Sequence, residues 1–211
     1  MKIKKVGHCC LIIETNNLKI MTDPGNFSIE QNQEKDVDVV LITHEHADHF
    51  HLESLLEVIK NNPQCRIITN TSVKKLLDKE NIACEILEEN EIDVGVKIFA
   101  KTCPHADIFD GIIPVQNTGY LIDDKLFYPG DAWLLSEKEV EVLALPVAGP
   151  WSKIRDSIEY AVKINPKIAF PVHDGIIKDS AINIFHKFPE KFLNEKNIHF
   201  KTLEAGEILE I

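Results

Sequence analysis

The sequence predicts an α/β fold in which β-sheets are covered on their outer faces by helices. Strand-like segments rich in β-branched residues outnumber helical segments along the 211 residues. In both halves of the chain, segments with helical spacing adjoin strands, which is the pattern expected when helices cover a sheet. The sequence contains neither a linker nor a short-period repeat. We therefore expect one domain over residues 1–211.

The N-terminal part is typical of a β-meander. Alternating apolar residues predict three strands, at Ile3 to Val6, Cys9 to Glu14 and Leu18 to Thr22. Asn16-Asn17 supplies the turn between the last two, because asparagine tolerates positive φ angles. The next apolar run, residues 37–43, is nearly continuous, as in a strand that is covered on both faces. This run ends at a group of histidines.

The remaining elements alternate between helices and strands. Apolar residues at helical spacing begin at Leu52, and this helix should end before Pro63, which disfavours the α region for its predecessor. Further helices are predicted near 71–79, from Ile154 through 162, and at about 180–193. Further strands are predicted at residues 66–69, 84–87, 94–100, 120–122, 126–128, 142–146 and 167–172.

Composition and charge limit the partners and the compartment. The 23 basic and 34 acidic side chains give a net charge of -11, which should repel nucleic acid and anionic membranes. A small-molecule substrate is the expected partner, and the sequence does not specify an oligomeric state. We find neither a signal peptide nor a membrane span. The five scattered cysteines form no C-x-x-C pair, so we expect reduced, mostly buried thiols in a cytoplasmic protein.

A dense group of metal-ligand side chains follows the strand predicted at 37–43. The segment Thr43-His44-Glu45-His46-Ala47-Asp48-His49 places three imidazoles and an aspartate within six residues. Neighbouring imidazoles repel each other when protonated and contribute little to packing, so a divalent cation is their natural partner. In an extended segment, residues two apart point to the same side, so His44 and His46 can hold one ion. Asp48 and His49 can then reach a second ion, while Glu45 should point away and bond loop backbone or a ligand imidazole.

Two ligands do not satisfy a zinc ion, so the chain must supply more. His105, Asp131 and His173 each follow a predicted strand. A lone residue at such a position is often only a cap or turn residue. Beside the histidine group, however, they become candidate ligands. Gly130 lets the backbone approach an ion or another segment closely, and a carboxylate at Asp131 could bridge two ions about 3.5–4 Å apart.

The full pattern resembles the metallo-β-lactamase superfamily over essentially the whole chain. Its elements are a strand, His-x-His-x-Asp-His, a later His, Gly-Asp and a final His. The resemblance implies an αββα four-layer sandwich. It also implies one metal held by His44, His46 and His105, a second held by Asp48, His49 and His173, and Asp131 between the two ions.

Two further segments resemble a short branch of this superfamily. Residues 7–14 and 21–24 are similar to the start of ascorbate-6-phosphate lactonase and of uncharacterised metal-dependent hydrolases. In that branch Asp23 supports the metal loop, and the alternative is a turn-forming Asp-Pro. We interpret His8 as a structural histidine, with a position facing the cleft as the alternative. The chain departs from the pattern at Cys9-Cys10 and at residues 174–175, which follow the last histidine.

The resemblance implies a hydrolase with two divalent metal ions. Zinc is the expected metal, with Mn²⁺ and Fe²⁺ as alternatives. A water shared by the ions should ionise near pH 7, and Asp48 would orient it and pass a proton to the leaving group. The expected substrate is a small ester, lactone, amide or phosphodiester. The alternatives are a phosphodiesterase or nuclease of the same fold, a metal-binding module without hydrolytic activity, and a di-iron redox protein.

Other polar and aromatic residues receive simpler interpretations. Three histidines are expected on the surface or on helix faces, namely His51, His186 and His199. Two tryptophans could form a wall of the substrate pocket or pack at its rim, namely Trp133 and Trp151. Two basic residues could meet a substrate anion, although a solvated helix start is their simpler role, namely Lys153 and Arg155.

Overall fold

Two seven-stranded sheets form the centre of the fold. The computed structural model describes all 211 residues. The first sheet contains β1 (Lys2–Gly7), β2 (Cys10–Thr15), β3 (Leu18–Thr22), β4 (Val39–Leu41), β5 (Arg66–Thr69), β6 (Glu85–Ile86) and, beside β1, β14 (Ile208–Glu210). The second contains β7 (Glu91–Asp93), β8 (Lys97–Pro104), β9 (Gln116–Ile122), β10 (Leu126–Tyr128), β11 (Val142–Pro146), β12 (Ile168–Val172) and β13 (His199–Phe200).

Four α-helices accompany the sheets. They are α1 (Leu52–Asn61), α2 (Thr71–Lys79), α3 (Ile154–Ile164) and α4 (Asp179–Asn194), and a short 3₁₀ helix lies at Glu30–Gln33. The Asn70 side chain caps α2 by accepting from the backbone N–H groups of Ser72 and Val73. None of these helices combines the length and the apolar character that crossing a membrane requires.

Three apolar clusters show that the layers are ordered helix, sheet, sheet, helix. The central cluster, which includes Leu11 and Phe170, joins residues of both sheets. A second cluster packs Leu55 and other residues of α1 and α2 against the first sheet. A third, which includes Tyr160, packs α3 and α4 against the second sheet. This is the αββα four-layer sandwich that the family resemblance implied.

The period-two pattern of the strands produces these layers. In β11, Val142 and Ala144 enter the central cluster, while Leu143 and Leu145 face α3 and α4. Both faces of the strand are buried, so the sequence there is continuously apolar rather than alternating.

Most elements lie where the sequence predicted them. The bounds of β3, β5, β10, β11, α1 and α2 agree with the prediction, and both Asn16 and Asn17 have positive φ. The strand predicted at 37–43 is shorter, because its end residues leave the ladder: Val37 N–H donates to Asn62, and Thr43 N–H donates to Asp23.

The remaining differences concern short or polar strands. Residues 94–96, predicted as the start of a strand, instead form the turn between β7 and β8, with Gly95 at a φ of 105°. The prediction missed β7, β13 and β14, each of two or three residues. Such short segments carry too few residues for a recognisable period.

Candidate metal centre

The candidate ligands lie at strand ends that share one edge of the sandwich. In the second sheet, β8, β10 and β12 run in the same direction, because β9 is antiparallel to both of its neighbours and β10 to β12 are parallel. His105, Asp131 and His173 follow these three strands. Thr118 N–H donates to the carbonyl of Thr43, which joins the histidine loop after β4 to this edge. All seven predicted ligands therefore meet in one place.

The first group of donors consists of three imidazoles. One nitrogen from each of His44, His46 and His105 lies within 4.8 Å of the other two. His44 and His105 are buried and His46 is half-buried. This is the trio that the resemblance implied for one metal.

The second group lies beside the first and combines carboxylates with imidazoles. Donor atoms of Asp48, His49, Asp131 and His173 lie within 4.8 Å of one another. Oδ1 of Asp131 is 3.1 Å from Nε2 of His49, and Oδ2 is 2.8 Å from Nε2 of His173 and 3.4 Å from Nε2 of His105. Asp131 thus lies between the two groups, as expected for a residue that serves both.

Hydrogen bonds orient two of the imidazoles toward the centre. Nδ1 of His105 donates to the carbonyl of Ala106 at 2.6 Å, and Nδ1 of His49 donates to Asp23 at 2.6 Å. Because a neutral imidazole carries one proton, these bonds leave the Nε2 lone pairs free to bind a cation.

Asp23 supports the histidine loop through a set of buried hydrogen bonds. Its carboxylate is fully buried and accepts from His49 Nδ1, from the N–H and hydroxyl of Thr43 at 2.7 Å each, and from the hydroxyl of Tyr128 at 2.7 Å. Asp23 therefore supports the histidine loop, as one interpretation held, and it also begins a tight turn at Pro24, because the N–H of Gly25 donates to its carbonyl at 2.8 Å. Tyr128 was not singled out in the sequence, because its hydroxyl reaches Asp23 only through the tertiary fold.

Close backbone contacts require glycine beside Asp131. A Cβ atom at Gly130 would lie 2.2 Å from Oδ1 of Asn117 and 2.9 Å from Cβ of Thr43, and Gly130 has a φ of 65°. The same Asn117 oxygen accepts from the N–H of Asp131 at 3.0 Å. Glycine here therefore lets Asp131 approach the histidine loop, as its Gly-Asp motif predicted.

His8 faces the centre and also has a structural role. Its Nδ1 accepts from the N–H of Gly175 at 3.1 Å, so Nε2 carries the proton and donates to Oδ2 of Asp48 at 3.1 Å. A Cβ at Gly175 would lie 3.0 Å from the His8 ring, which explains a small residue at this departure from the family pattern. Both interpretations of His8 therefore describe part of its role.

Left-handed backbone occurs at three non-glycine residues of the centre. The φ angles are 44° at His8, 38° at Asp23 and 62° at His173. Such conformations cost about 1–3 kcal/mol each and are retained where surrounding contacts impose them, often at functional sites. The N–H of His173 donates to the carbonyl of His8 at 3.2 Å, so a backbone hydrogen bond joins two of these three residues.

Burial and neighbouring charges give the imidazoles of the centre different protonation states. Burial lowers the pKa of His44 well below its usual value, so this ring is neutral. Burial also opposes the charge of His49 and His173, but the Asp131 carboxylate, Cys9 and other neighbours together outweigh burial and raise the pKa of both well above the usual value. Burial would raise the pKa of Asp131, yet His49 and His173 lower it well below its ordinary range. A bound cation must displace protons from these two histidines.

The donor set fits divalent cations. Nε2 of His49, Nε2 of His105, both ring nitrogens of His173 and Oδ1 of Asp131 are buried without a hydrogen-bond partner. Unsatisfied buried polar atoms are rare in folded proteins and costly, so five at one place indicate a missing partner. Imidazole and carboxylate donors suit zinc, iron and manganese.

The structure also shows where Glu45 and the remaining histidines lie. Glu45 points away, as predicted, but its partner is the hydroxyl of Ser72. His51 is half-buried beside Glu53, and His199 is exposed. His186 lies on a helix face, one of its two expected positions, but its ring is buried on α4 rather than exposed.

His186 belongs to a buried ionic group behind His173. Its Nε2 lies 3.0 Å from Oδ2 of Asp174, and the same oxygen accepts from Nζ of Lys5 at 2.6 Å. Nζ of Lys5 also donates to the carbonyls of Pro171 and Leu203. This group connects β1, α4 and the loop after β12, and it accounts for the acidic residue at position 174.

An apolar pocket opens beside the centre. Its volume is about 610 Å³, and it is lined by residues 103–107 and 132–135 together with Trp151. Nε1 of Trp151 donates to Oδ2 of Asp131 at 3.0 Å, and the ring of Trp133 contacts that of Trp151 edge-on. Both tryptophans therefore line this pocket. Arg155 instead pairs with Glu159 on the exposed start of α3, so it has the solvated role.

The chain matches known proteins over most of its length. Residues 2–173 match the family model described as the Beta-lactamase superfamily domain. The chain is 29% identical to Protein Rv0786c of Mycobacterium tuberculosis, over 88% of this chain and 90% of that protein. It is 28% identical to a UPF0173 metal-dependent hydrolase of Nanoarchaeum equitans, over 90% of this chain and 93% of that protein.

Solved structures share the fold at lower identity. Igni18, a metallo hydrolase of Ignicoccus hospitalis, aligns with a TM-score of 0.73 at 20% identity, covering 100% of this chain and 98% of that one. The metallo-beta-lactamase fold protein YhfI of Bacillus subtilis aligns with a TM-score of 0.76 at 11% identity, covering 100% of this chain and 98% of that one.

Proposed function

The chain belongs to the Beta-lactamase superfamily, and we propose that it is a metal-dependent hydrolase with two divalent cations, zinc first among them. The observation that carries this proposal is the convergence of seven donor side chains, several with buried atoms that lack any partner. The relative of Nanoarchaeum equitans bears the name metal-dependent hydrolase, which supports the same reaction class.

Each cation would have its own set of ligands. His44, His46 and His105 would hold the first, and Asp48, His49 and His173 the second, with Asp131 in contact with both. When bound, such cations would polarise a carbonyl or phosphoryl oxygen and lower the pKa of a bound water. Asp23 and Ala106 keep two of the imidazoles in the tautomer that binding requires.

Asp48 is the proposed catalytic residue. Its side chain is 20% exposed, whereas the other carboxylate of the centre, Asp131, is 3% exposed, so Asp48 is the one that substrate and water can reach. Burial would raise the pKa of Asp48, but its contacts with His173 and His8 outweigh burial and lower the pKa, so the group is an anion that can accept a hydrogen bond from the attacking water. It would orient the attacking water and then deliver the proton to the leaving group.

The pocket favours a small substrate with an apolar part. Asp107 is the only acidic residue in its lining, which contains no lysine or arginine. An ester, lactone or amide therefore fits better than a phosphodiester, whose charge would find no lysine or arginine in the pocket. The net charge of -11 also disfavours nucleic acid as a partner. Five free cysteines support a reducing, cytoplasmic location.

The test combines metal analysis with a catalytic variant. Protein purified without chelators is assayed for bound metals and screened with generic lactones, esters, amides and phosphodiesters. Asp48→Ala should lower kcat by about 10²–10⁴-fold, the usual contribution of a general acid–base group, with a circular dichroism spectrum like that of the wild type. Asp78→Ala is the matched control, since Asp78 is exposed on α2 and pairs with Lys74.

Two outcomes would overturn the proposal. The first is wild-type protein that contains metal yet hydrolyses none of these substrates. The second is an Asp48→Ala variant as active as Asp78→Ala, which would remove the proton-transfer role from Asp48.

A further inference from the structure

A buried thiol lies against the second group of donors. Cys9 is 1% exposed, and its Sγ lies within 4.8 Å of one nitrogen each of His8, His49 and His173. The sequence pattern did not single it out, because C-x-x-C pairs and even cysteine counts are the usual signals of thiolate sites.

The fold fixes the backbone of Cys9 at this position. The hydroxyl of Thr22 donates to the Cys9 carbonyl at 3.0 Å, and the hydroxyl of Tyr128, which donates to Asp23, lies 2.8 Å from the same carbonyl. These contacts hold the backbone of Cys9 beside the centre. Its neighbour Cys10 packs in the cluster beneath α1 and α2, whereas Cys9 belongs to the cluster between the sheets. Cys9, directly before β2, thus directs its thiol to the donor group, whereas Cys10, the first residue of β2, directs its thiol away from it.

The imidazoles around Cys9 differ in whether their ring nitrogens are available to bind a cation. Both nitrogens of His8 are engaged, one by the N–H of Gly175 and the other by Asp48. In contrast, Nε2 of His49 and both ring nitrogens of His173 are buried without a hydrogen-bond partner. A cation held by these two rings would therefore have the thiol as an adjacent donor.

We propose that Sγ of Cys9 is a thiolate ligand of the cation that His49 and His173 hold. This inference rests on the proposed metal centre. On binding, the sulfur–metal bond replaces the S–H bond, and the proton is released to solvent. Zn–S and Zn–N distances of about 2.3 and 2.0–2.1 Å allow donors up to about 4.4 Å apart to share an ion, so only a small adjustment is needed. A thiolate favours zinc over manganese or magnesium at this position.

Cobalt(II) substitution tests the proposal directly. A thiolate bound to cobalt(II) gives a charge-transfer band in the near-ultraviolet that imidazole and carboxylate ligands do not give. We expect this band in cobalt-loaded wild-type protein and in Cys10→Ser, and its loss in Cys9→Ser. Cys10 is the matched control because it is adjacent in sequence and equally buried.

A second measurement requires no variant, should Cys9→Ser fail to fold. Zinc-edge X-ray absorption of the zinc-loaded wild type should contain a sulfur shell at about 2.3 Å. Absence of both the cobalt band and the sulfur shell overturns the proposal, as does a band that persists in Cys9→Ser.

The outcomes separate this inference from the proposed function. Hydrolysis by a zinc protein that has no sulfur shell would refute the thiolate ligand alone. A sulfur shell in a metal-loaded protein that hydrolyses no substrate would refute the hydrolase alone.

Discussion

Replacement of Asp23 by asparagine should weaken both the fold and the metal centre. The carboxylate is fully buried, and its Oδ2 accepts from His49, Thr43 and Tyr128 at 2.6–2.7 Å. An amide keeps the shape and one acceptor oxygen, but its NH₂ group cannot accept hydrogen bonds. Asp23→Asn therefore tests the hydrogen bonds while it leaves the packing nearly unchanged.

The expected magnitude follows from the partners. The Tyr128 hydroxyl has a second acceptor 2.8 Å away, the carbonyl of Cys9, whereas the neutral partner beside Nδ1 of His49, the hydroxyl of Thr43, is 3.4 Å away. Loss of one or two charge-assisted bonds should lower the free energy of unfolding by about 2–4 kcal/mol. Loosening of the His49 ring should lower metal affinity by about 10–100-fold, as is usual for residues that orient a ligand.

Urea denaturation of the chelator-treated protein measures the first effect, and competition with a chromophoric chelator measures the second. Asp36→Asn is the control, because Asp36 is exposed and its left-handed backbone, at a φ of 59°, suits asparagine. If Asp23→Asn and Asp36→Asn have the same stability and metal affinity, Asp23 does not orient the centre.

Three further perturbations test separate parts of the structure. Gly130→Ala should reduce bound metal and stability, while Gly111→Ala, also at positive φ but with open space around it, should retain its metal content. Lys5→Met should lower the free energy of unfolding by about 3–5 kcal/mol in urea, because it leaves a buried carboxylate without its cation. Chelator-treated protein should lose stability as pH rises above 6.5, because the raised pKa values of His49 and His173 let the fold bind protons that the unfolded chain has released.

Each of these perturbations has a control or an outcome that would contradict it. Equal metal content in both glycine variants would show that the close backbone contact is unimportant. Lys2→Met, at an exposed position, should leave the urea midpoint unchanged, and a matching result for Lys5 would contradict the ionic role. Thermal unfolding of metal-loaded protein should not show the pH dependence above 6.5, since metal has replaced the protons; an identical slope in both forms would contradict the proton account.

The sequence by itself determined the layers and the candidate ligands. The apolar periods of β11 and α1 and the turn residues Asn16-Asn17 and Pro63 can be recognised from short stretches of sequence. This is because the buried face of an element and the geometry of a turn each depend on neighbouring residues. The four candidate ligands from His44 to His49 are likewise visible in one short segment. The family pattern added the three distant candidates, and the structure brings all seven together.

Only the tertiary structure decided what lies around those ligands. His8 beside Asp48, Tyr128 beneath Asp23 and His186 against Asp174 are pairs separated by 40, 105 and 12 residues. The environment of Cys9 is of the same kind, since its neighbours belong to other segments. No period or spacing encodes such contacts, because they arise where strand ends of two sheets meet, and the position of that edge depends on how the whole sandwich packs.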